Sequence, residues 1–163
     1  MKMESLKDLY VDQLRDLYSA ENQILKVLPM MADMASHPEL KTAFQEHEVQ
    51  TREHVRRLEQ VFDTLGEKTS GHHCKGMEGL LKEGDELMKM KVESDVLDAG
   101  LITSAQRVEH YEMAGYGTVR TFARQLGLNE QAEILQRTLD EEGRTDERLT
   151  MLAESLVNPD AMR

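Results

Sequence analysis

The sequence is poor in the residues from which β-sheets are built. It has no Trp, three Phe, four Tyr and three Pro, while Leu, Met, Ala, Glu, Lys, Gln and Arg dominate. Because strands favour aromatic and β-branched residues and helices favour the second set, the composition predicts an all-α protein. A chain of 163 residues can bury a substantial core, and we expect one domain over residues 1–163.

Cysteine and long apolar runs are also scarce. Cys74 is the only cysteine, which excludes an intrachain disulfide and the multi-cysteine sites that hold iron–sulfur clusters or rubredoxin iron. No apolar run approaches the roughly 18 residues of a membrane span, and the chain starts without a hydrophobic signal core. We therefore expect a cytoplasmic protein with no membrane partner.

Basic charge is low. The chain has 20 Lys and Arg against 31 Asp and Glu, a formal net charge of −11, and neither terminus carries a basic run. Sequence-independent binding to nucleic acid needs clustered Lys and Arg that displace counterions from phosphates. The charge therefore disfavours nucleic acid as a partner, and with it a DNA-protecting mini-ferritin.

Capping signals and glycines divide the chain into four long helices. A Ser5–Asp8 pattern and a Ser36–Glu39 capping box begin the first two, Asn129 caps the fourth, and Gly66 and Gly127 end the second and third. The predicted helices span about 5–34, 37–65, 95–126 and 130–157, and a crossover over 67–93 carries a short extra helix near 77–90. Two antiparallel pairs with this connection predict a ferritin-like four-helix bundle.

Ionisable side chains interrupt the apolar stripe of every predicted long helix. At about 100° per residue, Glu21 lies near the centre of the stripe formed by Leu14, Leu17, Ile24 and Leu28. The other interruptions are His47 and His54 in the second helix, Glu109 and Glu112 in the third, and Glu142 and Asp146 in the fourth. The separations from Glu21 to His54 and from Glu109 to Glu142 are both 33 residues. The pattern predicts one polar layer to which all four helices contribute.

Five buried carboxylates require neutralisation. Each unpaired one costs several kcal/mol, so five would rival the roughly 5 to 15 kcal/mol that stabilises a whole domain. Arg120 is the one basic residue of the third helix within easy reach of the layer, and a single cation cannot neutralise five acids. Two divalent cations would neutralise them, and protons shared among the acids are the alternative.

An oxygen-rich ligand set with one or two histidines favours iron or manganese over a closed zinc site. We therefore predict two Fe or Mn ions per chain. The predicted ligands are Glu21, His54, Glu109, Glu112, Glu142 and Asp146, with His47 as a competitor on the second helix. Tyr116, one turn after Glu112 on the same face, is either a hydrogen-bond partner of the ligands or an ordinary core tyrosine.

The remaining histidines carry weaker signals. His110 lies off its apolar stripe, which is typical of a surface histidine. His72, His73 and Cys74 form a short trio for which we expect no more than adventitious binding of zinc or copper.

Several segments resemble the YciF-like bacterial stress-response proteins, and the likeness spans nearly the whole chain. The segments are Tyr18–Glu21, Cys74–Leu80, Val108–Glu112, Gly115–Thr118 and Thr138–Glu142, with His110-Tyr111-Glu112 the most specific part. The resemblance implies a homodimeric, ferritin-like four-helix bundle with a short extra helix at the dimer interface. One position departs from the family, because Gln50 stands where a Glu is usual. Either His47 or His54 then replaces that ligand, or the site is weaker than in the relatives.

The resemblance and the ligand pattern together predict a stress-response protein with a dinuclear iron or manganese centre. Without a rubredoxin-like set of cysteines no electron relay is built in. Catalase-type dismutation of peroxide, or oxidation of ferrous iron, therefore fits better than a donor-dependent peroxidase. A metal-free dimeric scaffold or interaction protein of the stress response is the alternative function.

The crossover also predicts how two copies associate. Its apolar residues have no obvious place in a four-helix core, and they are Met77, Leu80, Leu81, Leu87 and Met88. An isologous contact would bury them against their own copy. We therefore expect a homodimer through residues 75–90.

Overall fold

The computed structural model describes residues 2–163, which form an all-α bundle. Its helices are α1 (Leu6–Met34), α2 (Pro38–Leu65), α3 (Lys75–Lys89), α4 (Ser94–Gln125), α5 (Asn129–Leu152), a π-helical turn (Ala153–Val157) and α6 (Asn158–Ala161). α1 packs mainly against α2 and α4 against α5, while α3 lies in the crossover against α4 and α1. This architecture confirms the ferritin-like four-helix bundle. Within residues 2–163, none of the helices has the length and apolar character that a membrane crossing requires.

Local chemistry explains where several helices begin and end. At the start of α1, Ser5 Oγ accepts from the Asp8 N–H at 3.1 Å, and the Asp8 carboxylate accepts from the Ser5 N–H at 2.9 Å, as predicted. α2 ends at Gly66 and α4 is followed by Gly127, with φ angles of 66° and 72°. Glycine adopts this left-handed backbone without strain, so both predicted stops are confirmed.

The predicted cap of α2 is wrong. α2 begins after His37, and the buried carboxylate of Asp98 from α4 accepts from the N–H groups of Ser36 and His37, each at 2.8 Å. Asp98 therefore takes the part of Glu39 in the predicted Ser36–Glu39 box, because it accepts from the N–H groups of the N-cap residue His37 and of Ser36 before it.

The predicted bounds of the fourth long helix also need correction. The N-cap of α5 is Leu128 and not Asn129, which is already the first helical residue. The chain also does not leave the helical conformation before Asn158, because the π-helical turn leads directly into α6. Pro159 is tolerated there since it lies in the first turn of α6, where a missing N–H is least costly.

Two apolar clusters fill the bundle, and the buried polar residues lie between them. On α1 one cluster ends at Tyr18 and the other starts at Ala20, so the boundary between them lies just before Glu21. On α4 the buried residues of one cluster extend to Val108, and those of the other start at Tyr116. The fully or almost fully buried polar residues between the clusters are Glu21, His47, Thr51, His54, Glu109, Glu112, Thr138 and Glu142. We call this set the polar layer.

The apolar residues of α3 are largely accommodated within one chain. Met77 is fully buried and Met88 is 8% exposed, while Leu80 and Leu81 are partly buried against the same core. The premise that these residues lack a place in a single chain is therefore wrong, because α3 packs against α1 and α4. The homodimer through residues 75–90 stays a prediction.

Candidate metal centre

Potential ligand atoms from four helices meet in the polar layer as two groups. The first group comprises Glu21, His54, Glu112 and Glu142, and the second comprises His47, Glu109 and Glu142. Within each group, one nitrogen or oxygen atom of every residue lies within 4.8 Å of the others, and all of these residues are buried. Glu142 belongs to both groups, so its carboxylate lies where the two groups meet.

The first group is built around the His54 ring. His54 Nδ1 lies 2.9 Å from Glu142 Oε1 and 3.3 Å from Glu21 Oε1. The Tyr116 hydroxyl donates to the same Glu21 oxygen at 2.6 Å. Tyr116 is therefore a hydrogen-bond partner of a predicted ligand, and its contact holds the Glu21 carboxylate toward His54.

Two residues that sequence analysis missed fix the His54 ring from the opposite side. His54 Nε2 is 2.7 Å from Glu141 Oε2, and Arg57 donates two hydrogen bonds to the Glu141 carboxylate, at 2.8 and 2.9 Å. A carboxylate that binds one ring nitrogen of a histidine orients the other nitrogen toward a metal. A local signal existed, because Glu141 precedes Glu142 and Arg57 follows His54 by one helical turn.

The second group is built around His47. Its Nε2 lies 2.9 Å from Glu109 Oε1 and 3.8 Å from Glu142 Oε2, and its Nδ1 is 3.5 Å from the Thr145 hydroxyl. His47 and His54 are seven residues apart, two turns of one helix, so both face the polar layer. On the same helix, Gln50 Oε1 accepts from the Thr145 hydroxyl at 3.4 Å.

Nine buried nitrogen and oxygen atoms of the site have no hydrogen-bond partner among the described residues 2–163. They belong to the seven predicted ligands: Glu21, His47, His54, Glu109, Glu112, Glu142 and Asp146. Some lie within 3 Å of one another without hydrogen-bonding angles, as His54 Nδ1 and Glu142 Oε1 do. Buried polar atoms of native proteins are seldom left unsatisfied. Atoms that converge in this way fit the coordination of a cation, so the site could hold metal.

Charge in the site is distributed unevenly. Burial raises the pKa of Glu109 and of Glu112 well above the usual carboxyl range, and the charge of Glu142 raises both further. Burial alone would lower the pKa of His54, but Glu21, Glu141 and Glu142 raise it to about 12. Burial would likewise raise the pKa of Glu142, yet its close contacts with Glu109, Glu112 and His54 lower it. Without metal, charged His54 therefore faces charged Glu142, while protons neutralise Glu109 and Glu112.

Asp146 lies at the border of the site and in neither group. Its Oδ1 is buried and unpartnered within the described chain, but its Oδ2 lies 3.2 Å from Nε2 of His110. The side chain of His110 is 67% exposed, in agreement with the surface position predicted for it. Asp146 is thus not gathered with the other predicted ligands, because one of its oxygens is turned to this surface histidine.

The three residues His72, His73 and Cys74 each contact a different partner. His72 Nε2 is 3.0 Å from Asp16, and His73 Nε2 is 2.8 Å from Glu78. The sulfur of Cys74 accepts from the N–H of Met77 at 3.3 Å and caps α3. The trio is not among the potential metal-holding groups found in residues 2–163.

Comparisons with known proteins identify the family. The family model "Domain of unknown function (DUF892)" matches residues 5–162. Protein YciF of Escherichia coli (strain K12) is 40% identical over 162 residues, which are 99% of this chain and 98% of that protein. The crystal structure of the E. coli stress protein YciF, also 40% identical, has a TM-score of 0.92, covering 96% of this chain and 99% of the other.

Two further solved structures extend the likeness. YcfI from Rhodopseudomonas palustris is 39% identical and has a TM-score of 0.88, with 91% of this chain and 95% of the other covered. A protein from Xanthomonas campestris, 21% identical with a TM-score of 0.77 over 98% of both chains, shares the fold. With its bundle, its polar layer and its similarity over almost the full length, the chain belongs to the DUF892 family of YciF-like proteins.

Proposed function

We propose that the polar layer holds two iron or manganese ions per chain and that the protein acts on peroxide or ferrous iron in the stress response. One observation carries the proposal: nine buried nitrogen and oxygen atoms without a hydrogen-bond partner in residues 2–163 lie on seven side chains, six of which form two groups sharing Glu142. The stress context is supported by 40% identity to a protein described as the E. coli stress protein YciF.

The donor atoms support the choice of metal. Each group combines carboxylates with one histidine, and none of the described members is a cysteine. Structural zinc favours four closed ligands that often include thiolates, whereas carboxylate-rich sites with histidine in helical bundles suit iron and manganese. The sharing of Glu142 between the groups favours a pair of neighbouring ions over two separate ones.

The chain's own side chains would position the reaction. Redox-active ions held here would supply the electron transfer that no side chain provides. Glu141, held by Arg57, orients His54, and Tyr116 orients Glu21. Cys74 is the only cysteine, so the chain contains no thiolate relay from an external donor. This favours dismutation, in which peroxide is both oxidant and reductant, or oxidation of ferrous iron, in which iron supplies the electrons.

A metal-free scaffold is the second candidate function, and contacts within the layer favour it. His54 faces both Glu21 and Glu142, and Tyr116 donates to Glu21, so part of the acidic charge is already compensated. The raised pKa values of the buried Glu109 and Glu112 fit protons shared among the acids. In this case the layer would only stabilise and specify the bundle.

Metal analysis separates the two candidates. Untagged protein is stripped with chelator, loaded anaerobically with Fe(II) or with Mn(II), desalted and subjected to elemental analysis. The metal centre predicts about two ions per chain, whereas fewer than about 0.2 with either metal would reject it in favour of the scaffold. For loaded protein, oxygen release from hydrogen peroxide indicates dismutation, and faster oxidation of added Fe(II) indicates ferroxidase activity.

A further inference from the structure

A cavity of about 200 Å³ lies beside the second ligand group. Its walls are mainly apolar and come from the five helices α1 to α5, with Leu28 of α1, Phe44 of α2, Leu81 of α3, Val108 of α4 and Leu149 of α5 among them. At the side of α2 and α5 its lining becomes polar, where the partly buried Gln50 and Arg148 and the exposed Arg144 are found. The cavity therefore runs from the surface between α2 and α5 into the apolar core.

The size and character of this space suit a small organic molecule. Protein interiors are normally packed as densely as organic crystals, with few voids larger than one water molecule. An apolar cavity of about 150 Å³ is enough to bind benzene, and water gains little in such a space because it finds few polar partners. A cavity of about 200 Å³ therefore has room for one aromatic ring with a short substituent.

One end of the cavity is chemically different from the rest. His47 and Glu109 both line it, and they are 4% and 1% exposed. Their atoms His47 Nε2 and Glu109 Oε2 are buried and have no hydrogen-bond partner among residues 2–163. A hydroxyl or hydroperoxyl group both donates and accepts hydrogen bonds, so it could satisfy the two atoms in the metal-free protein. An anionic head group would instead meet the acidic charge of the polar layer.

We propose that this cavity binds small neutral molecules with an apolar body and one hydroxyl or hydroperoxyl head, directed at His47 and Glu109. Organic hydroperoxides are the corresponding substrate class: two ferrous ions and two protons would convert ROOH to ROH and water and leave two ferric ions, and this step from binding to substrate rests on the proposed function. Hydrogen peroxide alone has no apolar part that would use these walls. The apolar walls select the organic body of the molecule. The polar end of the cavity orients the oxygen atoms of the molecule toward the polar layer.

The test uses three probes that share one phenyl ring and differ in a single group: benzyl alcohol, toluene and benzoate. Benzyl alcohol is the unreactive alcohol counterpart of benzyl hydroperoxide. Binding to the metal-free protein is followed by NMR titration of backbone amides. We expect saturable binding of benzyl alcohol, with the largest shifts near Ala43, His47 and Val108, and at least about tenfold weaker binding of toluene and of benzoate.

A cavity-filling variant locates the ligand. Ala105 of α4 lines the cavity, so Ala105→Leu should weaken benzyl alcohol binding at least about tenfold and should keep or raise the melting temperature, because the added carbons enter existing space. Ala114→Leu adds the same bulk at an exposed position of α4 and should leave binding unchanged. Ala43→Leu repeats the experiment from α2 should Ala105→Leu fold poorly.

Absence of saturable binding, shifts confined to other regions, or unchanged binding in a folded cavity-filled variant would each overturn the proposal. Benzoate binding as tight as that of benzyl alcohol would also overturn it, and would indicate an anionic ligand held by Arg144 and Arg148. Because no metal is present in these titrations, a failure here is distinct from a failure of metal uptake, which tests the proposed function.

Discussion

Replacement of Glu142 should damage metal binding more than any other single change, because Glu142 alone belongs to both ligand groups. The Glu142→Gln substitution preserves the shape of the side chain and removes its charge. It takes a carboxylate from both groups at once, whereas a change at Glu112 or Glu109 affects one group. We therefore expect Glu142→Gln to abolish uptake of both ions.

The size of the metal-induced rise in melting temperature follows from the linkage between binding and folding. A ligand that binds only the folded state at a concentration of 100 times Kd adds about 2.7 kcal/mol to the free energy of unfolding. For a chain of this length, each kcal/mol corresponds to about 2–4 °C in melting temperature, so metal should raise that of the parent by about 5–11 °C. The variant should lose this increase at the same metal concentration.

The metal-free protein should also lose stability, for a separate reason. Glu142 is fully buried, His54 is the cationic ring beside it, and the raised pKa values of Glu109 and Glu112 keep these neighbouring acids neutral. Loss of the Glu142 charge therefore removes a carboxylate partner of the buried His54 cation. Removal of one partner of a buried ion pair typically costs about 3–5 kcal/mol. The metal-free variant should therefore melt below the metal-free parent.

Thermal melts followed by far-UV circular dichroism, with and without Mn(II), measure both effects. Glu147→Gln makes the same chemical change at an exposed position of α5 and should behave like the parent in both melts. The reasoning is refuted by an equal metal-induced rise in Glu142→Gln and the parent. A large loss of stability in the metal-free variant, without any metal linkage in the parent, would identify Glu142 as a purely structural acid.

Four further predictions address other parts of the molecule. Glu141→Gln should weaken metal binding about 10- to 100-fold in equilibrium competition with a chelator, because it replaces the carboxylate that orients His54 with a neutral amide. Gln50→Glu should raise metal occupancy by elemental analysis, because it adds a negative charge on the helix that carries both histidines. Hydrogen bonds to Asp160 and Asp98 raise the pKa of His37 above 6.5, so its stabilisation is complete below about pH 6.5 and lost as pH rises through the raised value. Light scattering should show a dimer at micromolar concentration that Leu80→Asp weakens, because residues 75–90 are expected at the interface.

Matched controls make these outcomes decisive. Glu133→Gln and Gln45→Glu change exposed positions of the same helices, and metal binding equal to theirs would contradict the roles of Glu141 and Gln50. For His37, the difference in melting temperature between the metal-free parent and His37→Gln should shrink between about pH 6 and about pH 9, and a constant difference contradicts the prediction. A monomer at micromolar concentration, or a mass unchanged by Leu80→Asp in folded protein, would speak against the interface.

The fold was predictable from the sequence where the deciding interactions are local. The Ser5–Asp8 cap and the stops at Gly66 and Gly127 depend on residues within one turn of one another, so short patterns suffice. The start of α2 depends instead on Asp98, 61 residues beyond His37 along the chain. No pattern near Ser36 reveals that a buried carboxylate of another helix takes the capping role.

The residues of the candidate site likewise fall into those that a local pattern predicts and those that depend on contacts between distant helices. A charged residue inside an apolar stripe is visible from helical periodicity alone, and that signal found every residue of both ligand groups. Glu141 and Arg57 are only partly buried and lie off the stripe centres, so periodicity gave no reason to select them. Their role arises from the packing of α2 against α5, which brings them together across the bundle.

The position of Gln50 acquires a physical meaning once both histidines of α2 are seen to face the layer. The two ligand groups together contain four carboxylates, those of Glu21, Glu109, Glu112 and Glu142, and two imidazoles. Four negative charges match two divalent ions, so a bound pair would leave the layer neutral without any contribution from Gln50. A Glu at that position would add a fifth negative charge, which increases attraction for cations and favours ions of higher charge. In the proposed centre the glutamine would therefore tune the charge of the layer toward two divalent ions, while His47 and His54 would supply the nitrogen donors from α2.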